Sequence, residues 1–187
     1  MANKNAAFGL RPIGKVGQNR DAQGLSEYSI AANETAIYFQ DPVQALGTGT
    51  VGVAAAGDTL LGSLNGVFYT DTTNKKPTWA NHLDASNAAT DIVGFVSDDP
   101  YERFEIQCNS SFPAAAVFSN GDIAYTAGDS ANYVSKVQLN RSTFVSSTAQ
   151  LRLVGVSKDV DNDDITNSHV NVVVTINEHF LKSTSGI

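Results

Sequence analysis

The chain has 187 residues, which suits one domain or one domain with an arm, and 42% of them are hydrophobic while only 17% are charged. Its one cysteine excludes an intramolecular disulfide and a cysteine-based metal site, so a secreted disulfide scaffold is ruled out. Serine, threonine and asparagine number 17, 15 and 16, and strong surface helix formers are scarce, so the composition predicts an all-β protein with a polar, weakly charged surface.

The charge of the chain changes sign near residue 20. Residues 1–20 hold four basic side chains and no acid, giving +4, whereas the remainder holds 8 basic and 19 acidic side chains, giving −11. An acidic body without a basic cluster is unsuited to duplex binding, so no nucleic-acid partner is expected. The sequence has no apolar stretch of about 20 residues and no secretory h-region, so neither membrane insertion nor secretion is expected, and a cytoplasmic compartment is predicted.

Residues 1–24 predict an extended N-terminal arm, because they contain five glycines or prolines and show no sustained hydrophobic period. Phe8, Leu10 and Ile13 are too apolar for a purely solvated tail. The arm is therefore expected to dock, either on this chain's own body or on a partner.

From residue 25 onward, short runs with a period of two predict many strands separated by polar turns. Asn65-Gly66 and Asn120-Gly121 predict hairpin turns, residues 113–119 and 143–150 predict short helices, and residues 74–89 predict a long loop. The pattern indicates a single β domain over residues 25–187, an antiparallel β-barrel or sandwich that is jelly-roll-like. The predicted strands are 25–31, 35–40, 51–55, 59–61, 67–70, 92–97, 103–108, 122–126, 133–139, 151–157 and 170–177.

Two motifs for cofactors fail on their context. Gly47, Gly49 and Gly52 match GxGxxG, but Gly57 ends the run that should be a helix, so a turn is predicted instead of a dinucleotide site. The alternating acids of residues 159–164 begin like a calcium loop, but the required glycine and twelfth-position glutamate are missing. No cofactor and no calcium requirement are predicted.

No catalytic constellation stands out among the remaining residues. The three histidines have no metal-site spacing, and His82, Asp84 and Ser86 lie too close in sequence to form a nucleophilic relay. A noncatalytic protein is therefore predicted.

Six strings in order along the chain carry a resemblance to known proteins: Asn-Ala-Ala-Phe-Gly-Leu-Arg-Pro (5–12), Gly-Val-Phe-Tyr-Thr-Asp (66–71), Pro-Thr-Trp (77–79), Asp-Asp-Pro-Tyr (98–101), Phe-Glu-Ile-Gln (104–107) and Ile-Asn-Glu-His-Phe (176–180). They resemble a family of tailed-bacteriophage virion proteins described as structural or capsid decoration (cement) proteins, and the match spans nearly the whole chain. The resemblance implies a noncatalytic protein, made in the host cytoplasm and bound to the major capsid protein on the outside of an icosahedral phage head, commonly as a homotrimer. Another virion β-module, such as a tail, fibre or receptor-binding component, is the alternative.

The composition of the arm and the resemblance together predict that the arm anchors the protein to the shell or to a neighbouring copy. The arm's apolar residues would supply most of the binding free energy, because an exposed ion pair contributes less than a buried apolar side chain. Deletion of residues 2–20 is then expected to leave the body folded. The predicted partner-binding residues are Phe8, Leu10, Arg11, Ile13, Lys15 and Arg20.

Overall fold

The computed structural model describes residues 2–16 and 25–183, and within them the protein is all-β with antiparallel sheets, as the sequence predicts; a sandwich arrangement fits. Its helical structure in these ranges consists of three single-turn 3-10 helices, Ala114–Ala116, Arg141–Thr143 and Phe180–Lys182. The strands are β1 (Arg11–Lys15), β2 (Ser26–Ser29), β3 (Pro42–Ala45), β4 (Val51–Val53), β5 (Gly62–Thr70), β6 (Pro77–Ala80), β7 (Val93–Ser97), β8 (Glu102–Gln107), β9 (Asn120–Gly121), β10 (Ile123–Ala124), β11 (Gln138–Leu139), β12 (Leu151–Val156) and β13 (Asn171–Ile176).

A five-stranded sheet has the order β1-β8-β13-β12-β9. Alternate residues of its three central strands point to one buried face, where Phe104 pairs with Val174 and Val174 pairs with Leu153. This face forms the first apolar core, which the short β10–β11 ribbon also joins through Ile123 and Leu139. On the opposite face of β8, Glu105 and Gln107 are buried as well, because the N-terminal segment hydrogen-bonds to both.

A six-stranded sheet has the order β2-β7-β5-β3-β4, with β6 paired to the outer part of β5. A single bridge between Ile30, just after β2, and Val51 of β4 joins the two ends of this order. The sheet therefore curls into a barrel-like layer around the second apolar core, which includes Leu64, Val67 and Val96.

The two halves of the molecule are linked by main-chain hydrogen bonds. The amide of Leu60 donates to the carbonyl of Glu178, and the amide of Phe180 donates back to Leu60. On the N-terminal side, the amide of Leu10 donates to the carbonyl of Gln40 at 2.9 Å. These bonds place the C-terminal turn and the N-terminal segment at the junction of the two cores.

Two predicted turns are strands in the structure. Asn65-Gly66 lies inside β5 at a bulge between Leu64 and Gly66, and Asn120-Gly121 forms β9 at the edge of the five-stranded sheet. An Asn-Gly dipeptide favours a tight turn, but its glycine also suits a β-bulge or a strand position that other side chains approach closely. Strands β1, β3 and β6 were not predicted. The helix predicted at residues 113–119 is a single 3-10 turn at 114–116, and the helix predicted at 143–150 is wrong, because the 3-10 turn at 141–143 ends where that helix was expected to begin.

Candidate partner-binding surfaces

The start of the N-terminal segment is held by the acidic loop of residues 159–164. The side-chain amide of Asn3 donates to the carbonyls of Asp164 and Ser168 at 2.9 and 3.0 Å. The side-chain amide of Asn162 donates to the carbonyl of Lys4, whose ammonium lies 2.5 Å from the Asp161 carboxylate. This loop therefore binds the chain's own N-terminal segment.

At Gly9 and Leu10 the N-terminal segment lies between the two halves of the molecule and contacts both. Leu10 is fully buried in the first core, and its carbonyl accepts a hydrogen bond from the Ser63 hydroxyl at 2.6 Å. Gly9 has a φ of +77°, and a Cβ at this position would lie 2.2 Å from the Gln40 carbonyl oxygen. Only glycine fits this combination of backbone angle and close approach.

The basic residues of β1 pair with acids of the body. The Arg11 guanidinium binds Glu105, and its carbon lies 4.3 Å from the centroid of the Phe8 ring. The Lys15 ammonium lies 2.6 Å from Asp99 and 4.0 Å from Glu102. Burial raises the pKa of Glu102, and the Lys15 charge opposes that rise.

The structure places the predicted interface residues in different surroundings. Leu10 belongs to the chain's own core and is fully buried there, so it is not exposed to a partner in this structure. Arg11 and Lys15 already have acidic partners within the chain, whereas Ile13 is 49% exposed and remains open to a partner. Arg20 lies outside the described residues.

Large apolar side chains are exposed at several places on the surface. On the five-stranded side, Phe118 and Val145 lie near each other in the fold, since both segments pair with the edge formed by β9 and β12. On the barrel side, Phe68 and Trp79 face each other across β5 and β6. The exposed large apolar residues of the described ranges are Ile13, Val16, Leu25, Phe68, Trp79, Tyr101, Phe118, Val145, Val160 and Leu181.

The outer face of the barrel carries an aromatic cluster formed by Phe68, Trp79 and Phe95. The rings of Trp79 and Phe95 are 4.9 Å apart at a tilt of 55°, and the indole covers Gly66, where a Cβ would lie 2.5 Å from it. Trp79 nevertheless remains 55% exposed. Sequence analysis missed this cluster because Trp79 fell in the predicted loop of residues 74–89, although Pro77–Ala80 is short enough for an edge strand.

Phe118 is the most exposed aromatic residue among those described, at 77%. Its φ is +71°, a left-handed conformation that costs a non-glycine residue about 1–3 kcal/mol. It lies beside a shallow cavity of about 310 Å³ whose lining includes Ala116, Phe144 and Val145. Sequence analysis placed Phe118 in a short helix, where neither its exposure nor its strained backbone could be predicted.

The residues considered for chemistry have ordinary structural partners. His82 stacks on Tyr133 with ring centroids 3.7 Å apart, and its ring nitrogens face Asn81 and Asp84. Gly49 lies in the turn between β3 and β4, as predicted for the glycines of the GxGxxG string. Within residues 2–16 and 25–183, no group of three or more histidine, cysteine or acidic side chains is placed to hold a metal ion.

No helix in the part of the chain that the structure describes is long and apolar enough to cross a membrane. Comparisons with protein-family models, curated proteins and solved structures find no match for this chain.

Proposed function

We propose that the chain is a noncatalytic virion structural protein, a capsid decoration (cement) protein that binds the outside of an icosahedral phage head and stabilises it. Its partners would be the major capsid protein and further copies of itself, assembled as a homotrimer. The order and spacing of the quoted sequence strings support this role.

The observation that carries the proposal is the set of exposed apolar side chains that lie on strands, namely Ile13 of β1 and the Phe68–Trp79 pair of β5 and β6. Isolated exposed apolar residues are common, but aromatic residues grouped as in the Phe68–Trp79 pair are characteristic of protein-binding surfaces. Burial of one such side chain contributes about 1.5–3 kcal/mol, so a few contacts per copy hold a protein on a repetitive shell. The N-terminal basic residues contribute less, because three of them are already paired within the chain.

The test is addition of the purified full chain to undecorated capsids, followed by sedimentation and thermal challenge of the particles. We expect saturable co-sedimentation and a higher temperature of capsid disruption. Ile13→Ser should weaken binding, whereas Val160→Ser, at an 88% exposed position in the acidic loop, serves as the matched control. Failure of the wild-type chain to sediment with capsids at any concentration would contradict the proposal.

The second candidate is a tail, fibre or receptor-binding β-module, and the aromatic cluster at Trp79 is the feature that favours it. An exposed indole that covers Gly66 offers an aromatic surface to a receptor. Quantitative mass spectrometry of whole particles separates the two roles. A decoration protein is expected at on the order of hundreds of copies per particle, as symmetric shell positions require, whereas a tail component is expected at far fewer.

A further inference from the structure

The backbone around Phe118 is fixed so that its side chain projects into solvent. The Phe118 amide donates to the carbonyl of Leu153 at 2.8 Å, and the Leu153 amide donates to the carbonyl of Ser119 at 2.9 Å. The Ser119 hydroxyl donates to the carbonyl of Ala116 at 2.5 Å. These bonds hold Phe118 at a φ of +71° with 77% of its surface exposed.

This arrangement has two unfavourable features in the isolated chain. A β-carbon at positive φ is strained, and an exposed phenyl ring gains little from burial. The Phe118 ring takes part in none of the aromatic or cation–π pairs found among the described residues, so no such contact offsets these two costs. The backbone beneath this outward-facing ring is fixed by hydrogen bonds, so insertion of the ring into another molecule would cost little backbone entropy and only the freedom of its two side-chain torsions.

The cavity beside Phe118 has the properties of a receptor for a phenyl ring. It measures about 310 Å³, and Pro113, Ala115 and Val145 contribute to its apolar lining. Phe144 also lines the cavity and is supported from below by an edge-on contact with Phe112 at 5.7 Å. The guanidinium carbon of Arg141 lies 4.9 Å from the centroid of the Phe144 ring, so the lining of the cavity offers an inserted ring both an aromatic side chain and a cation.

We infer that Phe118 and this cavity form a self-association surface, in which Phe118 of one copy enters the cavity of a second copy. The occupant is a second copy because the projecting ring and the cavity lie side by side on the same surface: Ala116 and Ser119 flank Phe118 in sequence and also line the cavity. A rotation axis passing beside Phe118 places each ring in the neighbouring cavity and closes the assembly. The inference concerns contact between copies and does not depend on capsid binding.

The contact is small, and the chain carries a net charge of −7, so copies repel each other at long range. We therefore expect weak association that strengthens as salt screens this repulsion. On a shell, where copies are held close together, the same contact is favoured by the high local concentration.

The experiment is sedimentation equilibrium of the full chain across a wide concentration range at low and high salt, without capsids. We expect the average mass to rise with concentration towards two or three copies, and to rise more at high salt. Phe118→Gly should weaken association at least about tenfold. Because glycine adopts positive φ without strain, the melting temperature of this variant should be unchanged or higher, which separates loss of contact from loss of folding.

Ala115→Trp tests the cavity, since an indole at this exposed position would occupy it while leaving Phe118 in place. We expect it to weaken association as Phe118→Gly does, whereas the control Val160→Ser should leave association unchanged. A wild-type chain that stays monomeric at every concentration overturns the inference. So does association that is unaffected by Phe118→Gly; if that variant instead loses capsid binding alone, the occupant of the surface is the shell protein.

Discussion

Gly9 shows how one residue fixes the path of the N-terminal segment. Its φ of +77° is combined with a close approach to Gln40, whereas Gly49 has the same φ but open space where a Cβ would lie. Gly9→Ala should therefore lower the free energy of unfolding by about 3 kcal/mol or more, and Gly49→Ala by only about 1–2 kcal/mol. Urea denaturation of both variants measures the difference, and equal losses would show that the clash with Gln40 is relieved by movement of the segment.

Asp41 is a buried carboxyl whose ionisation opposes folding. Burial raises its pKa to about 6, although the Ser135 hydroxyl and the Tyr38 amide partly stabilise the charged form. The folded state thus holds the proton more tightly than the unfolded state. The stability contributed by this proton is present below pH 3.8 and is lost as the pH rises to about 6.

Asp41→Asn should consequently stabilise the protein at pH 7.5 by about 1–3 kcal/mol, since the amide oxygen can still accept from Tyr38 while no charge is buried. The advantage over wild type should shrink as the pH falls from 6 to 4, which urea denaturation at pH 7.5, 5 and 4 measures. Burial, aided by the Lys182 charge, lowers the pKa of His179 to about 4, so acid from pH 6.5 to 4 destabilises both proteins equally and cancels in the comparison. Lower stability of the variant at pH 7.5 would contradict this account.

At the scale of the element, the N-terminal segment is a structural strand of the described domain. It supplies Leu10 to the first core and pairs β1 with β8. Deletion of residues 2–20 is therefore expected to destabilise the body, contrary to the expectation from sequence. Any contribution of this segment to partner binding must come from side chains that remain exposed, such as Ile13.

Single substitutions test this role without removing the segment. Leu10→Ala should cost about 2–5 kcal/mol, because it leaves a cavity in the first core. Ile13→Ala, on the same segment but 49% exposed, should cost about 0.5 kcal/mol or less. Denaturant unfolding of the two variants gives the comparison; similar small losses would mean that the segment detaches readily from the body.

The sequence predicted the central strands better than the edges. Residues 103–108 and 170–177 were predicted nearly to the residue, because alternating buried positions such as Phe104 and Ile106 create a clear period of two. The pairing of β1 with β8 could not be predicted in the same way, since Arg11 and Glu105 are 94 positions apart and periodicity carries no information about partners.

The candidate surfaces were harder to predict than the fold. The basic residues of the segment suggested an outside partner, but their acids lie in this chain and are brought near only by folding. Phe118 is defined by its backbone angle and exposure, which depend on its hydrogen bond to Leu153 rather than on local sequence. Composition did predict the strand-rich fold on which these surfaces lie.

The described part of the molecule contains two apolar cores, and a few main-chain hydrogen bonds link the halves that hold them. The first lies against the five-stranded sheet and the second lies inside the curled sheet. The N-terminal segment bonds to both halves, because Leu10 enters the first core while its main chain bonds to Gln40 and to Ser63 of β5. The segment also brings positive charge onto an acidic body, and these favourable charges add to its attachment.

Unfolding of the full chain should therefore be a single cooperative transition, in which the two cores are lost together. The one tryptophan, Trp79, lies on the barrel side and reports on that half by fluorescence, whereas far-ultraviolet circular dichroism reports on strands of both halves. The two signals should coincide during urea unfolding of wild type and separate after deletion of residues 2–10, which removes Leu10 and its bonds to the barrel. Separate transitions in wild type would show that the halves fold independently, and coincident transitions in the deletion variant would show that the contacts of Leu60 with residues 178–180 suffice to couple them.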